Sequence, residues 1–164
     1  MAGTFTNNAG AVFVVASNGM PNEMANVGTL VNNGDVEVDA GTLNLTNQPN
    51  GVTDVRAGTS IVLFGTLTAG SKNGLFDLGS IEGALTLANG QKTVVTPSSG
   101  TLKNTGVFNL EDGTSVVVNG NLTNSGQVRP LGTSETLTVT STFTNQADGV
   151  LNFSNPPASN SSLT

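Results

Sequence analysis

Two small groups of side chains could do chemistry. Asp35, Glu37 and Asp39 alternate with Val36 and Val38, so on a strand the three carboxylates share one outward face. Such oxygens suit calcium, but residues two apart on a strand are separated by about 7 Å, so one ion could hold only a neighbouring pair. The GGxGxDxUx nonapeptide of calcium-binding β-solenoids is not present. A solvated acidic face is therefore the expectation, with a calcium site as the weaker alternative. Asp54 and Arg56, two apart in a polar stretch, could form half of a polysaccharide lyase site. They have neither a second base nor an aromatic platform beside them in the sequence.

Threonine supplies a third pattern. Thr4 and Thr6, Thr66 and Thr68, and Thr142 and Thr144 each spell Thr-x-Thr, with single members at Thr29, Thr42, Thr86, Thr101 and Thr123. A flat Thr array of this kind is similar to the surfaces of ice-binding β-solenoids. Val31, Lys103 and Asn121 interrupt the grid, and threonine is also the ordinary exposed β-former. The triplets Asn44-Leu45-Thr46, Asn121-Leu122-Thr123, Asn152-Phe153-Ser154 and Asn160-Ser161-Ser162 fit the glycosylation spacing. In a chain this rich in Asn, Ser and Thr, chance produces several.

Composition narrows the classes further. The 164 residues are 36% apolar, 4% aromatic and 10% charged, with a net charge of −6. Few charges and plentiful aliphatic residues argue for a folded chain. Five basic residues against eleven acidic ones leave no stripe to neutralise phosphates, so neither nucleic acid nor an anionic membrane is an expected partner. His, Cys, Trp and Tyr are all absent, which removes the commonest general base, thiol nucleophiles and thiolate or imidazole metal sites. The expectation is a protein that is not an enzyme and takes no cofactor. The longest early apolar run, Ala11 to Ala16, is too short to cross a bilayer.

What positions these side chains is a repeat. Gly3-Thr4-Phe5-Thr6-Asn7, Gly28-Thr29-Leu30-Val31-Asn32, Gly100-Thr101-Leu102-Lys103-Asn104, Gly120-Asn121-Leu122-Thr123-Asn124 and Ser141-Thr142-Phe143-Thr144-Asn145 all read small, polar, large apolar, variable, Asn. Each is followed by a turn glycine (Gly10, Gly34, Gly106, Gly126, Gly149) and then an alternating strand. Weaker copies begin at Gly41, Gly65 and Gly83. The spacing of the last three strong copies gives a period of roughly 20 residues, within the range of solenoid repeats. A coil of that length buries its inward face only when the next coil stacks on it. Alternation then places Phe5, Leu30, Leu43, Leu67, Leu85, Leu102, Leu122 and Phe143 in one inward stack. Asn7, Asn32, Asn104, Asn124 and Asn145 fall at strand ends, where amides can bond from coil to coil as ladders do. Ala16 to Val27, Thr46 to Gly58 and Ala88 to Ser99, each with a proline, read as excursions.

The stretches GTLVNNGDVEVDAGTLNLTN and GTLKNTGVFNLEDGTSVVVNGNLTNSG resemble the repeats of bacterial autotransporter passengers and filamentous-haemagglutinin-type β-solenoids. The resemblance covers most of residues 3 to 154. It implies a right-handed parallel β-helix, here of about seven coils, serving as an extracellular stalk, adhesin or matrix fibre at a bacterial surface. It carries no catalytic motif with it. The expected organisation is a β-helix over 1–154 and a polar linker or tail over 155–164. Neither end shows a capping helix, so the expected partners are adjoining solenoid repeats or further copies of the chain, with a host or surface glycan as a possible ligand.

Overall fold

The computed structural model describes residues 3–16, 23–132 and 134–152, together with the backbone of 162–163. Among them there is no helix, and the chain winds into three strands per coil. The first coil holds β1 (Thr4–Asn7), β2 (Val12–Val15) and β3 (Met24–Val27). The second holds β4 (Thr29–Asn32), β5 (Asp35–Val38) and β6 (Thr42–Leu45). The third holds β7 (Asp54–Val55), β8 (Ser60–Leu63) and β9 (Thr66–Ala69), from which β10 (Lys72–Asn73) folds back as a hairpin. The fourth holds β11 (Ser80–Ile81), β12 (Ala84–Leu87) and β13 (Lys92–Val95). The fifth holds β14 (Thr101–Asn104), β15 (Val107–Leu110) and β16 (Ser115–Val118). The sixth holds β17 (Asn121–Asn124), β18 (Gln127–Pro130) and β19 (Thr136–Val139). A further level is carried by the short strands β20 (Phe143–Asn145), β21 (Val150–Leu151) and β22 (Ser162–Leu163).

Stacking turns these strands into three walls. The second wall runs unbroken through seven parallel strands, β2-β5-β8-β12-β15-β18-β21. The first wall is split into β1-β4 and β7-β11-β14-β17-β20, and the third into β3-β6-β9-β10 and β13-β16-β19-β22. Every pairing is parallel except the β9–β10 hairpin. The parallel β-solenoid expected from the repeats is therefore the fold, with about six turns rather than seven. The last level is incomplete because its strands span only two or three residues.

The period also differs from the expected 20. Stacked partners lie 25 residues apart at Asn7 and Asn32, 26 at Asp54 and Ser80, and 20 at Asn104 and Asn124. Corner length varies while strand length stays near four, so early coils are longer than late ones.

Inward residues fill a dry centre, and they belong to three columns rather than one. Leu43 and Leu67 lie on the third wall with Ala25, and Leu85 lies on the second between Ile61 and Phe108. Leu30 pairs with Phe5, and Leu102 and Leu122 with Phe143, on the first wall. The single stack drawn from the sequence is corrected accordingly. A glycine opens corners on all three walls, at Gly28, Gly83 and Gly41 for example, so the Gly-x-Leu pattern recurs within a coil as well as between coils. All the same, Leu43, Leu85, Leu102 and Leu122 are fully buried.

The excursions are redrawn as well. Lys92–Val95, expected in a loop, is a strand whose Thr93 and Val95 face inward. Only Asn89 and Gly90, both at positive φ, make the turn before it. Thr46 to Gly58 contains β7, and Ala16 to Val27 ends in β3, with 17–22 outside the described residues. The true insertion is 70–79, which leaves the coil through β10. It returns Leu75 and Leu78 to the core, where both are fully buried. Within 155–164, Ser162 and Leu163 pair in parallel with Thr136 and Leu137, and the remainder of that stretch lies outside the described residues.

Candidate functional site

The five repeated asparagines stand at the corner between the first and second walls, each the last residue of its strand. The side-chain amide of Asn7 donates from Nδ2 to Oδ1 of Asn32 at 2.9 Å. Asn104 donates to Asn124 at 2.7 Å, and Asn124 to Asn145 at 2.7 Å. Each NH2 has a second target one coil on, the carbonyl of the residue that opens the second-wall strand. Asn7 reaches Asp35 at 2.8 Å, Asn104 reaches Gln127 at 2.9 Å and Asn124 reaches Val150 at 3.3 Å. Asn32 makes the same contact with Ser60 at 3.4 Å. Asn7, Asn104 and Asn124 thus each tie the corner they occupy to both sides of the next one. Asn104 and Asn124 are 0% exposed, so this bonding replaces solvation that burial has removed.

The ladder is in two pieces. In the first wall the position above Val55 is Ile81, and the position above Ile81 is Asn104. Two aliphatic side chains therefore separate the Asn7–Asn32 pair from the Asn104–Asn124–Asn145 run. At that junction Oδ1 of Asn104 is buried without a hydrogen-bond partner among the described residues.

Beside the ladder runs a column of glycines. A Cβ on Gly126 would sit 2.1 Å from the carbonyl oxygen of Gly106, and one on Gly106 would sit 2.0 Å from that of Gly83. Close approach of successive backbones explains the turn glycines after the Asn motifs. Gly10 is different, because a Cβ there would meet nothing within 4 Å and its φ of 75° is what favours glycine.

The threonines do not assemble into one plane. Thr4, Thr6, Thr142 and Thr144 belong to the first wall, whereas Thr66 and Thr68 belong to the third. On the first wall, Asp54, Ser80 and Lys103 share the outward column that ends in Thr123 and Thr144. Thr68 is engaged with its own neighbours. Its hydroxyl donates to Asn44 Oδ1 at 3.0 Å, and Asn44 Nδ2 donates to Asn26 Oδ1 at 3.0 Å. That outer ladder was not expected from the repeat, although Asn26 and Asn44 occupy the same strand position.

Asp35 and Glu37 face outward on β5 and exposed Asp39 follows it, and Ser60 donates to Asp35 Oδ1 at 2.7 Å. Among the described residues no three His, Cys, Asp or Glu side chains come close enough to hold a metal ion.

Asp54 and Arg56 lie beside the break in the first wall. Where β4 lacks a strand neighbour, Gln48 supplies one: Leu30 N–H donates to Gln48 Oε1 at 2.9 Å, and Gln48 Nε2 donates to Gly51 O at 2.6 Å. A cleft of about 100 Å³ opens there, lined by Asn32, Gln48, Asp54 and Arg56 among others. Ligand pockets are commonly about 300–1,000 Å³. Arg56 Nε lies 3.6 Å from Asp54 Oδ2, with both side chains well exposed, and Arg56 also donates to Asn33 Oδ1 at 3.1 Å. Ser80 donates to Asp54. The pair is held by the wall that surrounds it.

Glu135 is a residue that pattern reading missed. It is 1% exposed, and its Oε1 accepts from Gly113 N–H at 3.1 Å in the turn that contains Asp112 and Gly113, both at positive φ. A lone acidic residue before a Thr-Leu-Thr strand offers no sequence signal of such a role. No helix among the described residues is long and apolar enough to cross a membrane.

Compared with models of known protein families, with curated proteins and with solved structures, the chain matches none.

Proposed function

We propose that this chain is a non-enzymatic structural module, a stack of coils that extends an adhesin or fibre outside the cell at a bacterial surface. One observation carries this reading. The second wall continues through seven parallel strands while buried amide ladders clamp its corner from coil to coil. Such a stack is stiff along its axis, because displacing one coil breaks backbone and side-chain bonds on both of its faces. At about 4.8 Å per level, the described coils rise about 30 Å. The likeness of the repeats to autotransporter passengers and haemagglutinin-type solenoids supports the extracellular setting. Partners in this setting are adjoining solenoid repeats or further copies, with a glycan as ligand at the exposed surface.

An ice-binding surface has less support, since its threonines lie on two walls. A polysaccharide enzyme would rest on Asp54 and Arg56 alone, at a cleft smaller than a sugar chain needs.

Pulling on the ends of the folded chain in an atomic force microscope tests the mechanical role. The stack should resist, then yield coil by coil in steps of about 80 Å, the extended length of roughly 23 residues. A chain that yields without measurable force, or that releases reducing ends from a polysaccharide in a manner abolished by Asp54→Asn, is not a structural module.

A further inference from the structure

The first coil and the last level share features that the other coils with a ladder Asn lack; of the coils between, the third, with Val55 in place of the Asn, also turns through four residues, at 56–59. Thr4-Phe5-Thr6-Asn7 and Thr142-Phe143-Thr144-Asn145 are the same tetrapeptide. Their phenylalanines stand where interior coils place Leu30, Leu102 and Leu122. After the ladder Asn, four residues turn the corner at 8–11 and at 146–149, against two at 33–34, 105–106 and 125–126. Both long corners close with the same bond, Ala11 N–H to Asn8 O at 3.0 Å and Gly149 N–H to Gln146 O at 2.9 Å. In both, the ladder amide also turns back onto its own corner, from Asn7 to Ala11 O at 3.4 Å and from Asn145 to Gly149 O at 2.8 Å.

The two ends are complementary as well as alike. Every ladder amide donates toward the higher-numbered coil, so Asn145 forms the donor end of the column and Asn7 its acceptor end. Among the described residues no strand pairs with the outer edges of the first coil or of the last level. Val12, Met24 and Val150, exposed at 60%, 59% and 46%, stand on the outward columns of the terminal strands. Phe5, Phe13, Phe143 and Leu151 are only partly covered. Open ladder edges of this kind recruit further strands.

We propose that the partner for these edges is a second copy of this chain, whose first coil seats on the last level of the copy below. The register sets Phe5 on Phe143, Asn7 on Asn145 and Val12 on Val150, so that the first and second walls and the amide column continue across the junction. Two four-residue corners then meet each other, whereas the interior four-residue corner at 56–59 lies between two-residue corners at 33–34 and 82–83. The contact joins unlike ends and does not close, so it propagates as a filament, with an axial repeat of about 34 Å for seven levels. This proposal rests on the structural-module reading and names its partner. Because each copy carries a net charge of −6, salt should strengthen the assembly by screening repulsion between copies.

The chain has no cysteine, so engineered disulfides report the register cleanly. Stacked strands are about 4.8 Å apart, within disulfide reach, whereas strands two levels apart are not. Thr6→Cys combined with Thr144→Cys should give a ladder of covalent oligomers on a non-reducing gel under mild oxidation. Val31→Cys combined with Thr144→Cys, one level further in, should give none. Thr6→Pro supplies an independent arm. The bonds from β1 to β4 use Gly3 O and Asn7 O, so by alternation the N–H of Thr6 points to the open edge. Its loss leaves the fold intact and blocks stacking.

Sedimentation velocity should show wild type growing with concentration and salt while Thr6→Pro stays monomeric with the same melting curve. Wild type that remains monomeric at millimolar concentration in 0.5 M salt overturns the proposal, as does equal crosslinking by both cysteine pairs. A monomer that still yields coil by coil under force would sink the self-stacking alone and leave the structural module standing.

Discussion

An asparagine at a solenoid corner is a two-pronged donor, and its worth depends on whether water can replace it. Asn124 is fully buried, accepts from Asn104 and donates to Asn145 and Val150. Truncating it leaves one N–H of Asn104 unpaired, the other still held by the Gln127 carbonyl, as well as removing its own bonds. At about 0.5–1.5 kcal/mol per net bond and 1–3 for a buried group left unpaired, Asn124→Ala should cost about 3 kcal/mol in urea unfolding. Asn145→Ala, at an exposed position, should cost under about 1 kcal/mol. Equal losses at the two positions would mean that burial adds nothing to the worth of the amide. The neighbouring glycine column has a steric logic of its own. Gly126→Ala forces a methyl against the Gly106 carbonyl and should lose about 1–3 kcal/mol or more.

At the level of the strand, β11 is where the ladder fails, and the failure can be repaired. Ile81 lies against Asn104, whose Oδ1 has no partner among the described residues. A buried amide normally costs more than a buried methyl. Here Ile81→Asn gains a donor for that oxygen, so it should be no less stable than Ile81→Ala. A double-mutant cycle with Asn104→Ala should read a coupling of about 1–2 kcal/mol between the introduced amide and Asn104. The insertion after β9 makes a different kind of repair. Leu75 and Leu78 enter the core from outside the coil path, and Leu75→Ala should cost about 2–5 kcal/mol by cavity formation.

Strands such as β5 and β15 were legible in the sequence, because inward and outward residues alternate between clear turn glycines. The ladder was legible from five Asn at one motif position. What the sequence hid were the wall assignments of Leu43, Leu67 and Leu85, since a Gly-x-Leu opening occurs on all three walls, at Gly28 and Gly100 on the first, Gly83 on the second and Gly41 and Gly65 on the third, and nothing local says which wall a copy joins. The insertion at 70–79 was hidden too, because its Leu, Phe and Gly mix carries no proline and reads as more repeat.

For the whole molecule, stability is a sum over neighbouring coils, and it is uneven. The first wall breaks between the second and third coils and the third wall between the third and fourth. From β14 to β19 all three walls are continuous and the ladder is unbroken. Amide hydrogen exchange should therefore be slowest in the fifth and sixth coils and fastest in the first coil and after β20. Uniform protection along the axis would contradict that gradient.

The amide column carries one more consequence, for how the molecule ages. Each of its rungs depends on an NH2 group, and spontaneous hydrolysis of an amide leaves a carboxylate that can only accept, set against a carbonyl that it then repels. The buried members are shielded, while Asn145 stands in water. Chemical wear should therefore begin at that tip and work inward one level at a time, so that the end which gives up its hydrogens is also the end that sets the working lifetime.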